Sequence, residues 1–228
     1  YQEALNAPGL LKRISLARET GSLDCEVLLM DDNSQDGIIE AVKIADFSWA
    51  RVIVRKSNRG LAPAVIDGFR HASGTILVVM DADLSHPPEK ILALVKAVES
   101  GAEMAIGSRY APGGSTDKQW GWLRQLNSKA ATWMARPLTN AKDPMSGFFA
   151  LRKQLITEAS DLSPLGYKIG LELIVKCSIT KITEVPIIFV DRAAGESKLT
   201  LRQQWLYLRH LIRLYKYRLF NRRKKAHS

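Results

Sequence analysis

Only 2 cysteines occur in 228 residues. That is too few for a disulfide framework, so the fold has to rest on a buried apolar core. Cys25 and Cys177 are read as buried, reduced thiols. No apolar run approaches the ~18 residues of a membrane span. No secretory leader is visible, and the sequence opens on Tyr1 without an initiator Met, as a fragment would. Repeats, low-complexity tracts and a convincing interdomain linker are all missing. Acid is missing from one place in particular. All 23 Asp+Glu precede Ser197, together with 23 of the 33 Lys+Arg. The formal net charge of +10 therefore belongs to the last 32 residues, and the rest of the chain is neutral. A nucleic-acid binder with a basic surface does not fit this distribution, and no aromatic-basic RNA-module strand appears. No G-x-G-x-x-G follows a strand, which argues against a dinucleotide oxidoreductase. No Ser-His-Asp or Cys-His constellation offers a nucleophile.

Short apolar runs are present and regular. Glu26–Met30, Arg51–Arg55 and Thr75–Met80 read as buried strands, followed at the proper distances by helical patterns over Ile38–Ala45, Ala62–Ala72 and Glu89–Ser100. Pro87 and Pro88 open the last of these. A further run covers Glu103–Ile106. Beyond it the spacing predicts helices over Leu123–Ala135, Gly170–Cys177 and Leu201–Phe220, with strands over Ser146–Leu151 and Ile182–Val190. Strand-helix alternation means an α/β fold with a mostly parallel sheet covered on both faces. Ligands of such sheets bind at the carboxyl ends of the strands, so residues just after each run are the site candidates.

Two of those ends are acidic. The first strand runs into Asp31-Asp32-Asn33-Ser34-Gln35-Asp36-Gly37, either a helix-capping turn or a pair of acceptors for a base or ribose. The third runs into Asp81-Ala82-Asp83-Leu84-Ser85-His86. Two carboxylates so close repel each other unless a cation lies between them. Hard oxygen donors select Mg²⁺ or Mn²⁺, which need few protein ligands when they also bridge substrate phosphates. His86 suits a supporting role. Arg109 follows another strand and Gly107, while Arg124 and Ser128 are i, i+4 on one helix. Guanidinium groups suit phosphate through their planar fork of donors.

Taken in order, Tyr1-Gln2-Glu3, Asp31–Gly37, Asn58-Arg59-Gly60-Leu61-Ala62 and Asp81–His86 resemble the nucleotide-sugar half of GT-A fold glycosyltransferases of family 2. Gly107–Tyr110, Arg124 to Ser128, Asp143–Phe149 and Gly195–Leu199 resemble, more narrowly, the dolichyl- or polyprenyl-phosphate mannose synthases and related glucosyltransferases. The resemblance covers nearly the whole chain. It implies a three-layer GT-A domain over 1–200, in which the family's opening strand, ahead of the residue matching Tyr1, is missing from the sheet. It also implies inverting transfer of a hexose from GDP-mannose, or alternatively UDP-glucose, to the phosphate of a polyprenol. A non-catalytic GT-A interaction module is the remaining alternative. By resemblance, Asp81 and Asp83 hold Mg²⁺ or Mn²⁺ with Ser85 as a weak third contact. Arg109, Arg124 and Ser128 hold the acceptor phosphate. Tyr1, Glu3, Asp31, Asp32, Asn58, Asp81, Arg192 and Lys198 face the nucleotide sugar. Glu172 receives no role.

The tail, 201–228, reads as a basic amphipathic helix lying on a membrane surface, at the cytoplasmic face. At ~100° per residue, Leu201, Trp205, Leu208, Ile212, Tyr215 and Leu219 form one stripe, with Arg202, Arg209, Arg213 and Lys216 beside it. Arg222-Arg223-Lys224-Lys225 suits anionic headgroups. Trp120, Trp122 and Trp133 are either core or lipid contacts, and Met145–Phe149 core. A membrane-anchoring partner, or a spanning segment beyond Ser228, is compatible with this tail.

Overall fold

A computed structural model of the chain describes residues 2–116, 122–157, 162–163, 166, 168–190 and 201–225, with the backbone alone at 122–125, 201–202 and 221–225. Its first element has no counterpart among the sequence expectations. Helix α1 (Ala7–Gly21) starts on Pro8 and buries Ala7, Leu10, Leu11, Ile14 and Ala17. Gly9, Ser15 and Thr20 are weak helix formers that dilute this stripe, so packing rather than propensity carries it. Strand β1 (Val27–Asp31) is followed by α2 (Ile38–Ala45), β2 (Ala50–Val54), α3 (Leu61–His71), β3 (Ile76–Val79) and α4 (Ile91–Glu99). Then come β4 (Met104–Ser108), the short β5 (Ser115–Thr116), α5 (Trp122–Ala135), β6 (Phe149–Arg152) and α6 (Lys153–Thr157). The chain continues through α7 (Ile169–Lys176), β7 (Ile182–Pro186), β8 (Ile188–Phe189) and α8 (Leu201–Lys225).

The central sheet has the order β3-β6-β4-β7. β4 and β7 are parallel, while β6 runs antiparallel to both of its neighbours. β1 and β2 form a separate parallel pair, and β5 pairs in parallel with β8. Parallel pairing thus dominates, with one reversed strand at the centre. Among the described residues β1–β2 shares no hydrogen-bonded edge with the central sheet. The single strand expected over Ile182–Val190 is two. Pro186 cannot donate to a ladder, and the chain passes there from the central sheet to β5.

Side chains alternate across β4 and β6. Met104, Ile106, Phe149 and Leu151 pack with Ala62 and Phe69 of α3 and Ile169 and Leu173 of α7. Ala105, Phe148 and Ala150 pack with Leu10 and Ile14 of α1 and Ile91, Leu94 and Val98 of α4. Gly107 is required by this packing. A Cβ there would stand 2.7 Å from Phe148 Cδ1 and 3.2 Å from Ile187 Cγ2, overfilling a fully buried spot. The cysteines are less deeply placed than expected. Both are free and half-buried, because each sits at the rim of a layer rather than within it. Burial raises both thiols, Cys177 to about 11, which keeps them protonated.

Helix α8 docks by one face. Tyr207, Leu211 and Leu214 are buried with Leu171 and Val175 of α7 and with Ala135, Leu138 and Met145. The Tyr207 and Tyr215 hydroxyls donate to the carbonyls of Ala131 and Met134. The other face is bare: Trp205 is 58% exposed and Ile212 56%, with Leu208, Leu219 and Phe220 also exposed. On α5, Trp133 is 75% exposed, so it is not core. No helix among the described residues is long and apolar enough to cross a membrane.

Candidate active site

Strand β3 delivers its two carboxylates to the carboxyl edge of the sheet in different states. Asp83 is buried, and its Oδ1 accepts both the Ser85 amide (3.1 Å) and the Ser85 hydroxyl (2.5 Å). Ser85 is itself buried, and its carbonyl accepts the Val190 amide just past β8. Leu84, at φ 62°, makes the tight turn between them. Asp81 is partly exposed, and no described donor hydrogen-bonds its carboxylate. His86 Nδ1 lies 3.9 Å from Asp81 Oδ2, yet it accepts the Asp81 amide (3.0 Å) and so carries a lone pair there, not a proton. Burial, outweighing the nearby carboxylates, lowers the imidazole pKa and agrees with this neutral tautomer. The ring stacks on Phe148 and meets the edge of Phe189.

The described residues hold no group of three or more His, Cys, Asp and Glu suited to a metal ion. Two oxygen-donor carboxylates, one without a protein partner, fit a cation that completes its shell with water and phosphate oxygens. They do not fit a closed structural site. A carboxylate pair of this kind can hold Mg²⁺ or Mn²⁺ against a diphosphate.

Opposite lies a second half, built on an Arg109–Asp143 ion pair. Arg109, two residues past Gly107, is gripped by the fully buried Asp143: Nε donates to Oδ2 and Nη2 to Oδ1, both at 2.7 Å, and the Arg109 amide adds a third bond at 3.1 Å. The Asp143 amide donates to Glu184 Oε1 on β7 (2.8 Å). Tyr110 OH pairs with Ser128 Oγ at 2.8 Å, which brings Ser128 of α5 beside Arg109. Arg124 is on the same helix one turn earlier, and its side chain lies outside the described residues. The segment from Asp143 to Gly147 joins the two halves. Asp143 holds Arg109, whereas a Cβ on Gly147 would stand 3.5 Å from His86 Cε1 and 3.8 Å from either oxygen of Asp81.

Lys168, ahead of α7, was not singled out by sequence. Its Nζ donates to the Met145 carbonyl (3.2 Å). Burial, and next the charge of Arg109, press its pKa from 10.5 to about 7, against the opposing pull of Asp143 and Asp81. The folded protein therefore releases this proton earlier than the unfolded chain does. Between about pH 7 and 10 the unfolded state binds more protons, so stability rises with pH across that window. Lys168→Met removes this dependence: the melting temperature of the wild type should gain on that of the variant from about pH 6 to about pH 9. Parallel melting curves would instead put the Lys168 charge in solvent.

The donor-side candidates are gathered at the ends of β1 and β2. Asp31 is buried; its Oδ2 accepts the Ser34 amide (3.0 Å), while Oδ1 has no partner. Asp32 accepts from Arg55 Nη1 and from the Gly60 amide (2.6 Å). Arg55, buried and unmarked by the sequence reading, also donates to Asp67 Oδ2 (2.8 Å) and to the Asn58 carbonyl (2.6 Å). Asp32 and Asn58 are thus tied into one knot, with Asn58 in a left-handed turn at φ 49°. Asp36 accepts the Ala4 amide (2.9 Å), which seats Glu3 beside the same loop. Tyr1, Trp120, Arg192, Lys198 and the Gly195 loop lie outside the described residues.

Residues 1–158 match the model of Glycosyl transferase family 2. A dolichol-phosphate mannosyltransferase of Pyrococcus furiosus is 43% identical over 222 residues, which are 95% of this chain and 62% of that protein. The chain therefore spans less than two thirds of this relative. A dolichol-phosphate mannosyltransferase of Saccharomyces cerevisiae is 42% identical over 230 residues, 94% of this chain and 84% of the relative. Among solved structures, Mycobacterium tuberculosis glucosyl-3-phosphoglycerate synthase, in complex with Mn²⁺ and uridine-diphosphate-glucose, superposes with a TM-score of 0.67. The match covers 95% of this chain and 75% of that one at 19% identity, a likeness of fold.

Proposed function

The chain belongs to glycosyl transferase family 2 and has its GT-A fold, and on that footing we propose that it transfers mannose from GDP-mannose to the phosphate of a polyprenyl or dolichyl phosphate. The transfer inverts the anomeric carbon and takes place at the cytoplasmic face of a membrane. The observation that carries this reading is the Asp143–Gly147 segment, which has the Asp81 carboxylate beside one end and the anchored Arg109 guanidinium at the other. Such a pair of poles suits a donor diphosphate on one side and an acceptor phosphate on the other.

Asp81 and Asp83 would hold Mg²⁺ or Mn²⁺, which when bound offsets the charge of a departing nucleoside diphosphate as a Lewis acid. Ser85 serves chiefly to aim Asp83. Arg109, Arg124 and Ser128 bind and orient the acceptor phosphate. A phosphate monoester has its second pKa near ~6, so it is anionic and nucleophilic at neutral pH and needs no general base. Neutral His86 is a spacer that fixes the Asp81 backbone. Tyr1, Glu3, Asp31, Asp32 and Asn58 serve the nucleoside, and Arg192 and Lys198 the diphosphate. The bare apolar stripe of α8 rests on the bilayer, where a polyprenyl tail has to stay.

The test is nucleotide release from GDP-mannose and from UDP-glucose, each with and without a polyprenyl phosphate. GDP release that needs the lipid phosphate and stops with EDTA is the expected result. Release of UDP alone would reassign the donor, and release indifferent to the lipid phosphate would reassign the acceptor.

A further inference from the structure

Between α7 and α8 lies a cavity of about 180 Å³ that the proposed reaction does not use, lined chiefly by Glu172, Lys176, His210, Arg213, Lys216 and Tyr217. Three of these are basic and one is an acid. The acid is already saturated. Glu172, fully buried, accepts from Lys176 Nζ (2.8 Å), from the Ser163 amide (2.8 Å) and from His210 Nε2 (2.9 Å). Arg213 Nη2 donates to Ser163 Oγ (2.6 Å), and Lys176 sits over the Tyr217 ring. His210 is buried too, and its Nδ1 has no partner. The cavity therefore carries net positive charge, with Glu172 and His210 buried at its back and Arg213 and Lys216 exposed at its mouth.

Its place on α8 says which anion. At about 100° per residue, Arg209, Arg213 and Lys216 form a strip between the exposed Trp205, Leu208, Ile212 and Leu219 and the buried His210 and Leu214. A bilayer set against the apolar stripe puts its headgroup layer beside this strip and the cavity mouth.

We propose that the cavity binds the phosphate of an anionic membrane phospholipid and so fixes how α8 is rotated on the bilayer. The proposal rests on the reading of α8 as the membrane-facing element. Lys216 and Arg213 meet the phosphate at the mouth, and Lys176 and His210 lie behind them. A phosphate from solution has the same chemistry, so the experiment has to separate the two sources.

The full chain is co-sedimented with vesicles of phosphatidylcholine and with vesicles of phosphatidylcholine mixed with phosphatidylglycerol. The wild type is expected to prefer the mixed vesicles. Lys216→Met and Arg213→Met should each reduce that preference tenfold or more. Arg209→Met is the matched control, because Arg209 lies in the same strip but stacks on Trp205. It should cost no more than about fivefold, the value of one charge near a membrane surface. Trp205→Ser combined with Ile212→Ser should weaken binding to both kinds of vesicle. Replacing chloride by inorganic phosphate at equal ionic strength should leave the preference intact. Equal losses in the three cation variants would reduce the effect to diffuse attraction and overturn the site. Loss of preference in inorganic phosphate would give the cavity to the free ion and overturn the lipid assignment. Equal wild-type binding to both vesicles overturns the site and leaves α8 on the membrane, whereas binding to neither removes α8 from the membrane as well.

Discussion

Asp83→Ala is expected to lower sugar transfer by about a thousandfold or more, the scale seen when charge stabilisation of a transition state is removed. The loss has two sources that separate experimentally. The first is electrostatic, because Asp83 is half of the carboxylate pair at the end of β3. The second is structural. Without Asp83, the buried amide and hydroxyl of Ser85 lose their acceptor, which costs about 1–3 kcal/mol of stability. Asp81→Asn isolates the first, since the Asp81 carboxylate supports no hydrogen bond and is partly open to solvent. It should show a comparable loss of turnover with an unchanged melting temperature. Turnover by either variant in excess EDTA at the wild-type rate would remove the carboxylates from the reaction.

The next largest effect falls on Asp143, far from β3 in sequence. Asp143→Ala leaves the nearly buried Arg109 guanidinium without its two-pronged partner. Removing one member of such a pair costs about 3–5 kcal/mol, a fall of many degrees in melting temperature for a domain of this size. Arg109→Lys is the gentler probe. It keeps the charge but gives up the fork that grips Asp143, together with any planar grip on the acceptor phosphate. The loss of one charge-assisted hydrogen bond, about 2 kcal/mol, should raise the acceptor KM by roughly thirtyfold and leave the donor KM nearly unchanged. The opposite split would move Arg109 to the donor side. An unchanged melting temperature in Asp143→Ala would show that Arg109 had found another anion.

Much of this candidate site is legible in the sequence because the rule used for it, inspection of the residues just past each apolar run, suits parallel strands. Asp31, Asp81 and Arg109 all lie at the carboxyl ends of their strands. The same rule is blind to β6. That strand is reversed, so its contribution, Asp143 through Gly147, comes before it; only the family resemblance marked this segment, and nothing local said that Asp143 would grip Arg109. Arg55 was equally hidden. It closes an apolar run and looks like a strand boundary, although it ties Asp32, Asp67 and Asn58 together across the ends of β1 and β2. Helix α1 was lost because two of its five buried residues are alanine, too weak a signal beside the polar residues between them. Lys168 and His210 depend on partners 23 and 38 residues away, and no local pattern encodes such pairings.

A helix fastened by one face and bare on the other also determines how the protein behaves as a colloid. Where no bilayer is present, the best cover for the Trp205–Ile212 stripe is the same stripe on another molecule. The basic strip alongside it, within a chain of net charge +10, keeps two such molecules apart. Added salt screens that repulsion and favours contact between the stripes, while the same salt weakens the pull of the basic strip toward any anionic surface. The two effects run in opposite directions. If α8 rests on lipid as proposed, ionic strength selects between contact of the stripes in water at high salt and attachment to lipid at low salt, with no change in the fold itself.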